Sequence, residues 1–485
     1  MPYLGRLLAF ALGQAAVSTL LSVLLGVPLA LALARRRFPG RGLALAALSA
    51  AAVMPAIVVV FAVTAIYGRA GWLSGLAVPL GLDLPALYGW PGILIAHVFL
   101  NAPLVARVIL ETLRLAPAEH WRLAEGLAFR PADVFRHLDW PIIRGELPGL
   151  AGLVFLLCFT SFPIVLALGG GPPRATLEVA IYEALRLDAD FGRAAWLAFA
   201  QVAICGALAA LLARAFGRAP VGQTLRGQSR RPDAADPLLR RLDLAVLGLA
   251  GLLVLPPLLA VAASIRALPA VLDRDLLRAA ATSFGIGACA ALLAAGLALL
   301  LAAGARHARL ALRRPGLAAL QDALAAVLPA VPPFALAAGL YLILRRVADP
   351  AASGLVLLPL LNALAALPFA YRFLAPAVMA AGERHGRLAD NLGLTGLARW
   401  RIVEAPSLRR PLRAALALAA ALSLGDFGIV ALFGGPELRT LPALLYERLG
   451  AYRVEEAGAV GLVLVLATLV LARLALLDEA ADARG

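Results

Sequence analysis

The residues of this chain best placed to do chemistry lie in one polar stretch that occurs twice. The first copy reads Arg122-Leu123-Ala124-Glu125-Gly126-Leu127-Ala128 and continues to Arg136-His137-Leu138-Asp139-Trp140-Pro141. The second reads Arg387-Leu388-Ala389-Asp390-Asn391-Leu392-Gly393 and continues to Arg401-Ile402-Val403-Glu404-Ala405-Pro406. Both keep the order Arg-Leu-Ala-acid-x-Leu-small, then Arg-x-aliphatic-acid-x-Pro, at the same spacing. In the second copy Leu388 and Leu392 recur at helical spacing, Gly393 breaks the run and Thr395 can cap the next turn. Leu397, Trp400 and Val403 then form an apolar stripe, as Trp121, Ala124 and Leu127 precede Val134, Phe135 and Leu138 in the first. Short apolar-faced helices flanked by charge suit docking into a groove of another protein. The alternative is a loop packed against its own bundle.

A second chemical signal is Asp426, in the run Gly425-Asp426-Phe427-Gly428 inside an apolar segment. A carboxylate there is expensive and marks a pathway by default. With the ring of Phe427 it can line the path of a cation; otherwise it caps a helix or pairs with an arginine such as Arg439. Histidine is sparse, and no zinc, P-loop or nucleophile-elbow motif occurs. Cys158, Cys205 and Cys289 are scattered through apolar runs and read as small buried hydrophobes. No metal site or catalytic group is expected, and nothing points to ATP hydrolysis by this chain.

The elements that hold these residues are membrane spans. The chain is 62% hydrophobic, far above the share in soluble domains, with a mean hydropathy of +0.88. Apolar runs long enough to span fall at about 7–34, 43–67, 91–114, 146–168, 194–216, 242–264, 282–304, 319–344, 354–376, 411–433 and 457–477, about eleven in all. The predicted fold is all-α and polytopic. The formal charge of +15 comes from arginine alone, with no lysine. The arginines crowd into alternate loops, so membrane topology explains them better than a nucleic-acid partner does. The positive-inside rule places both repeated loops in the cytoplasm, the N-terminus outside and the C-terminus inside.

The halves match beyond the loops. Ile164-Val165-Leu166-Ala167-Leu168-Gly169-Gly170-Gly171-Pro172 aligns with Gly428 to Pro436, which sets Phe162 opposite Asp426, and Thr176, Tyr182 and Leu185 align with Thr440, Tyr446 and Leu449. Such self-similarity signals duplication. The repeated unit has five spans; the unmatched span 242–264 reverses the chain, so the copies are parallel. The expected organisation is a first repeat over 1–216, a cytoplasmic linker over 217–241 and a second repeat over 242–485. The arginines of the linker either meet anionic lipid or lie solvated. The Gly170-Gly171 and Gly434-Gly435 turns are expected to lead into short outer helices.

The loops resemble the coupling loop of ABC-importer permeases, whose pattern is Glu-Ala-Ala, then Gly, then Ile-x-Leu-Pro at fixed spacing. Gly393, Val403 and Pro406 fall on it, as do Ala128 (in place of Gly), Leu138 and Pro141. The leading Glu is Arg122 or Arg387 here, and the residue before Pro is Trp140 or Ala405. The Gly425–Gly428 run, with Arg439-Thr440-Leu441-Pro442 and Leu168–Pro172, is similar to the bacterial thiamine permeases of this class. The resemblance implies a multi-pass subunit of the bacterial inner membrane. Two copies of a separate ATPase would dock at Arg122, Leu123, Ala124, Glu125, Leu127, Ala128 and Pro141, and at Arg387, Leu388, Ala389, Asp390, Leu392, Gly393 and Pro406. A periplasmic binding protein would deliver thiamine or its phosphates. This chain would bind no cofactor, ATP being used by the partner. Ferric iron or another small solute is the alternative cargo. An ion-coupled secondary transporter is disfavoured by the scarcity of charges in mid-span.

Overall fold

Apolar runs interrupted by proline and glycine produce helices whose breaks matter as much as their lengths. The computed structural model describes residues 2–81, 86–215, 231–327, 331–347, 349–350, 352–435 and 438–476. Among the described residues all regular structure is helical and no strand occurs. Nine helical stretches among them are long and apolar enough to cross a membrane. Two more of the expected spans, 319–344 and 411–433, are built from shorter helices. The protein is a polytopic all-α membrane protein. It divides into two compact units, Met1–Val179 with Ala207–Ala263 and Ala180–Gly206 with Ser264–Gly485. Of the expected linker, 217–230 lies outside the described residues.

The first unit begins with α1 (Pro2–Arg35), α2 (Arg41–Ala52), α3 (Ala56–Tyr67) and α4 (Trp90–Arg114). Next come α5 (Ala118–Gly126), α6 (Pro131–Val134), α7 (Trp140–Phe159) and α8 (Pro163–Leu168). Then come α9 (Leu177–Tyr182) and α10 (Phe191–Ala215), whose residues are divided between the units, and α11 (Pro237–Ala263) closes the first. Here α1 packs on α4, α7 and α11, and α11 also reaches α2 and α3. The expected span 43–67 breaks before Pro55, whose missing N–H and fixed φ suit the start of α3. Leu244, Leu252, Leu255 and Leu259 of α11 are exposed. Such an apolar face is a liability in water and natural against lipid.

The second unit holds α12 (Arg274–Leu310), α13 (Pro315–Val327), α14 (Pro333–Leu344), α15 (Gly354–Asn391) and α16 (Gly396–Arg399). It continues with α17 (Ala405–Gly425), α18 (Gly428–Phe433), α19 (Leu441–Gly450) and α20 (Val454–Leu476). Its core is alanine-rich: Ala291, Ala294, Ala298 and Ala302 of α12 meet Ala363, Ala366 and Ala370 of α15 and Ala415 and Ala419 of α17. Small residues let helix backbones approach where lipid offers no hydrophobic drive. Cys158 and Cys205 are buried, but Cys289 is exposed, because the alanine stripe turns that side of α12 outward.

Each unit joins the corresponding helices by an internal polar pair, with the asparagine one turn apart in the two copies. Asn101 of α4 donates to Cys158 Sγ of α7 at 3.4 Å, and Asn362 of α15 donates to Ser423 Oγ of α17 at 2.8 Å. The backbone also corrects the alignment of the halves. Leu166 N–H donates to Phe162 O and Gly169 N–H to Val165 O, as Ala431 N–H donates to Phe427 O and Gly434 N–H to Val430 O. Thus Phe162 corresponds to Phe427, and Asp426 to Ser161 rather than Phe162. The one-residue difference lies in the turn that follows α8 and α18. There Gly170 and Gly171 take φ of 79° and 112°, whereas Gly434 has φ −67°. Gly-Gly-Pro occurs in both halves, Gly170-Gly171-Pro172 and Gly434-Gly435-Pro436, with the extra residue on the Gly169 side, so matching on that motif shifts the preceding helix by one.

Candidate functional site

The repeated stretches fold alike. In each, a helix ends on the same cap: Leu127 N–H donates to Leu123 O, Ala128 N–H to Glu125 O and Phe129 N–H to Ala124 O. In the second copy Leu392 donates to Leu388 O, Gly393 to Asp390 O and Leu394 to Ala389 O. This is the Schellman arrangement, which needs one left-handed residue. Ala128 supplies it at φ 52° and Gly393 at φ 66°. A short second helix follows, α6 or α16. Asp133 Oδ2 accepts from Arg130 N–H at the start of α6. Thr395 stands at the start of α16, but its side chain makes no capping hydrogen bond, contrary to expectation.

Both loops then pass through a π-helical turn, Phe135–Asp139 and Trp400–Glu404, before Pro141 and Pro406. Trp140 N–H reaches Phe135 O, and Ala405 N–H reaches Trp400 O. A proline cannot donate to the carbonyl four residues back and its ring crowds that carbonyl. Widening the preceding turn relieves the crowding, and π turns of this kind recur at functional sites.

The outward face is apolar at its centre. Leu123 and Leu127 are 62% and 58% exposed, and Leu388 and Leu392 are 58% and 65% exposed. Arg122, Glu125, Ala128, Pro141, Asp390, Gly393 and Pro406 are exposed around them. The side chain of Arg387 lies outside those described. Ala124 and Ala389 depart from the expected docking set. Both are buried at 1% and seat the helix on the bundle, where a larger side chain would not fit.

Sequence reasoning missed what anchors the loops. Asp139 is fully buried and takes a bidentate hydrogen bond from Arg231, at 3.0 and 2.7 Å. Arg231 also pairs with Asp233, and its guanidinium lies 4.4 Å from the ring centroid of Trp121. Burial alone lowers the pKa of Arg231, but its hydrogen bonds to Asp139 and Asp233 win and raise it. This arginine is neither solvated nor free for lipid, as the linker reading had it. The cluster extends through Arg35, which contacts Asp233 and Asp243, to Arg36, which pairs with Asp243 at 2.6 Å. In the second loop Glu404 occupies the place of Asp139 and pairs with Arg306 at 2.8 Å and Arg399 at 3.4 Å. The recurring acid two residues before the proline was the available signal.

Asp426 follows the capping alternative: Oδ1 accepts from Ile429 N–H at 3.4 Å, at the start of α18. Arg439 pairs instead with Asp275 and Glu447. Asp426 Oδ2 is buried without a hydrogen-bond partner among the described residues. The adjacent Phe427 is 3% exposed, and its ring lies 4.8 Å from that of Tyr446.

No family model matches the chain. Curated relatives do, along nearly its whole length. It is 43% identical to the thiamine transport system permease protein ThiP of Brucella melitensis, over 99% of this chain and 89% of that one. The corresponding proteins of Salmonella typhimurium and Escherichia coli are 42% and 41% identical, each over 96% of this chain and 87% of theirs. The chain belongs to the thiamine transport system permease family. As a permease it has to offer a path through the membrane and a way to move it.

Proposed function

We propose that this chain is the membrane-spanning subunit of an ATP-binding-cassette importer that carries thiamine, or its phosphates, from periplasm to cytoplasm by alternating access. The observation that carries the reading is one local fold built twice, with the same apolar centre, in a chain similar throughout to thiamine permeases. The protein sits in the bacterial inner membrane, with both loops on the arginine-rich cytoplasmic side. Two copies of a separate ATPase receive Leu123 and Leu127 of one loop and Leu388 and Leu392 of the other. ATP is bound and hydrolysed there, and this chain holds no cofactor. Movement of each groove carries the attached helices as rigid bodies. A periplasmic binding protein delivers the substrate to the outer face.

Thiamine carries a fixed positive thiazolium ring. Asp426 and Phe427 are suited to its path: a carboxylate oxygen without a hydrogen-bond partner among the described residues stands beside the buried ring of Phe427, which packs on half-buried Tyr446. The test is uptake of labelled thiamine by a host stripped of its own importer and supplied with this chain, its neighbouring ATPase and binding protein. Uptake that vanishes with an ATPase-dead partner is the expected result. An assembled complex that moves no thiamine would sink the substrate assignment, and ferric iron would be tried next.

A further inference from the structure

We propose that Arg231 is a positioning residue that locks the first loop to α1 and α11, so that the loop and both helices move as one body. The proposal rests on the docking reading above. Arg231 touches both arms of the loop at once. It lies over Trp121 of α5 and grips Asp139 at the end of the π turn. Through Asp233 it joins a closed set of three guanidinium groups (Arg35, Arg36, Arg231) and three carboxylates (Asp139, Asp233, Asp243). Arg35 ends α1 and Asp243 lies in the second turn of α11. Asp236 Oδ1 accepts from Leu239 N–H, so the chain passes from Arg231 into α11 across a capped start. Arg36 adds a hydrogen bond to Ala234 O at 2.6 Å.

A loop that only had to fold would be served by its own cap and by the burial of Ala124. The planar fork of Arg231 does more, because it fixes two carboxylates and a ring in one geometry. The lock also reaches α11, the span with no counterpart in the duplication. A push on Leu123 and Leu127 is thereby delivered to α1 and α11 rather than lost in the turn at Pro117.

The test uses the full complex, with ATPase and binding protein, in proteoliposomes, and reads thiamine uptake and ATP hydrolysis together. D139N/R231Q removes one charge of each sign and leaves Asp233 beside Arg35. The expected complex assembles and hydrolyses ATP within about twofold of the parent, while uptake per ATP falls about tenfold, a normal size for coupling between sites. R231K, which keeps the charge but not the fork, is expected to lie between the two. Unchanged uptake per ATP in intact D139N/R231Q overturns the proposal, as does loss of ATPase capture, which would make Arg231 a folding element of the dock. A parent chain that neither captures the ATPase nor transports overturns the docking reading and this proposal together.

Discussion

The two loops share a cap, a π turn and an apolar face, yet they are joined to their bundles differently. In the first, α4 stops at Arg114 and Pro117 opens a separate helix, α5. The residue before a proline is turned away from the helical region, so the chain bends there. In the second, Gly382 occupies the place of Pro117 and α15 runs on unbroken to Asn391. A Cβ at Gly382 would lie 2.6 Å from Arg306 Cδ, so the glycine makes room for the arginine that reaches Glu404. The first loop is hinged at its entry and clamped at its exit by a buried ionic cluster. The second is stiff at its entry and held at its exit by a partly exposed pair. The two copies share the exposed apolar face and differ in how they are anchored.

Removing the arginine at each exit separates the two designs most strongly. The side chains of Arg231 and Asp139 are 7% and 0% exposed, whereas those of Arg306 and Glu404 are 17% and 14% exposed. R231M leaves a buried carboxylate without its main partner, which costs about 3–5 kcal/mol. R306M leaves Glu404 with Arg399 and with access to water, and should cost about 1 kcal/mol. Melting of the detergent-solubilised protein checks the ranking. Equal shifts for the two variants would mean that the clamp and the partly exposed pair are one device.

The docking faces should behave alike where the anchors do not. L123D and L388D each place a charge at the centre of an exposed apolar patch that the ATPase is expected to cover. Burying a leucine contributes about 1.5–3 kcal/mol, so each variant should weaken ATPase capture about ten- to hundredfold. Co-purification with a titrated ATPase measures both. A strong effect in one loop and none in the other would break the symmetry that the shared fold implies.

Much of this was legible in the sequence because it depends on residue type at fixed spacing. The repeated leucines, the break at Gly393 and the acid before each proline lie close together in the chain, and local rules govern them. What escaped depends on distance. Arg231 lies in a segment of arginine and proline that reads as solvated, and its partner Asp139 is 92 residues away. Nothing local distinguishes a clamped arginine from a free one. Ala124 and Ala389 carry the motif, so the sequence alone points them at the partner; only packing shows that they face inward. The helix break within 411–433 escapes hydropathy because both sides of it are apolar, so hydropathy passes over an interruption that the backbone does not.

The smallest difference between the loops is the cleanest to test. Both caps demand a left-handed residue, and the first fills that place with Ala128. An L side chain there costs about 1–2 kcal/mol, while glycine gives back about 0.5–1 kcal/mol through the freedom it adds to the unfolded chain. A128G should therefore tighten its cap by about 0.5–1 kcal/mol, and G393A should loosen its own by a similar amount. Sterics do not confuse the second substitution, because a Cβ at Gly393 meets nothing within 4 Å. Hydrogen exchange at the amides that close the caps, Phe129 and Leu394, reads the effect locally. Protection should rise about two- to fivefold at Phe129 in A128G and fall by a similar factor at Leu394 in G393A, following the energies above. Opposite signs from the two substitutions would establish that the loops need one backbone geometry, and that the alanine in the first is tolerated rather than required. If A128G instead lost protection, the methyl group of Ala128 would be making a contact that the second loop lacks, and the caps would differ as the anchors do.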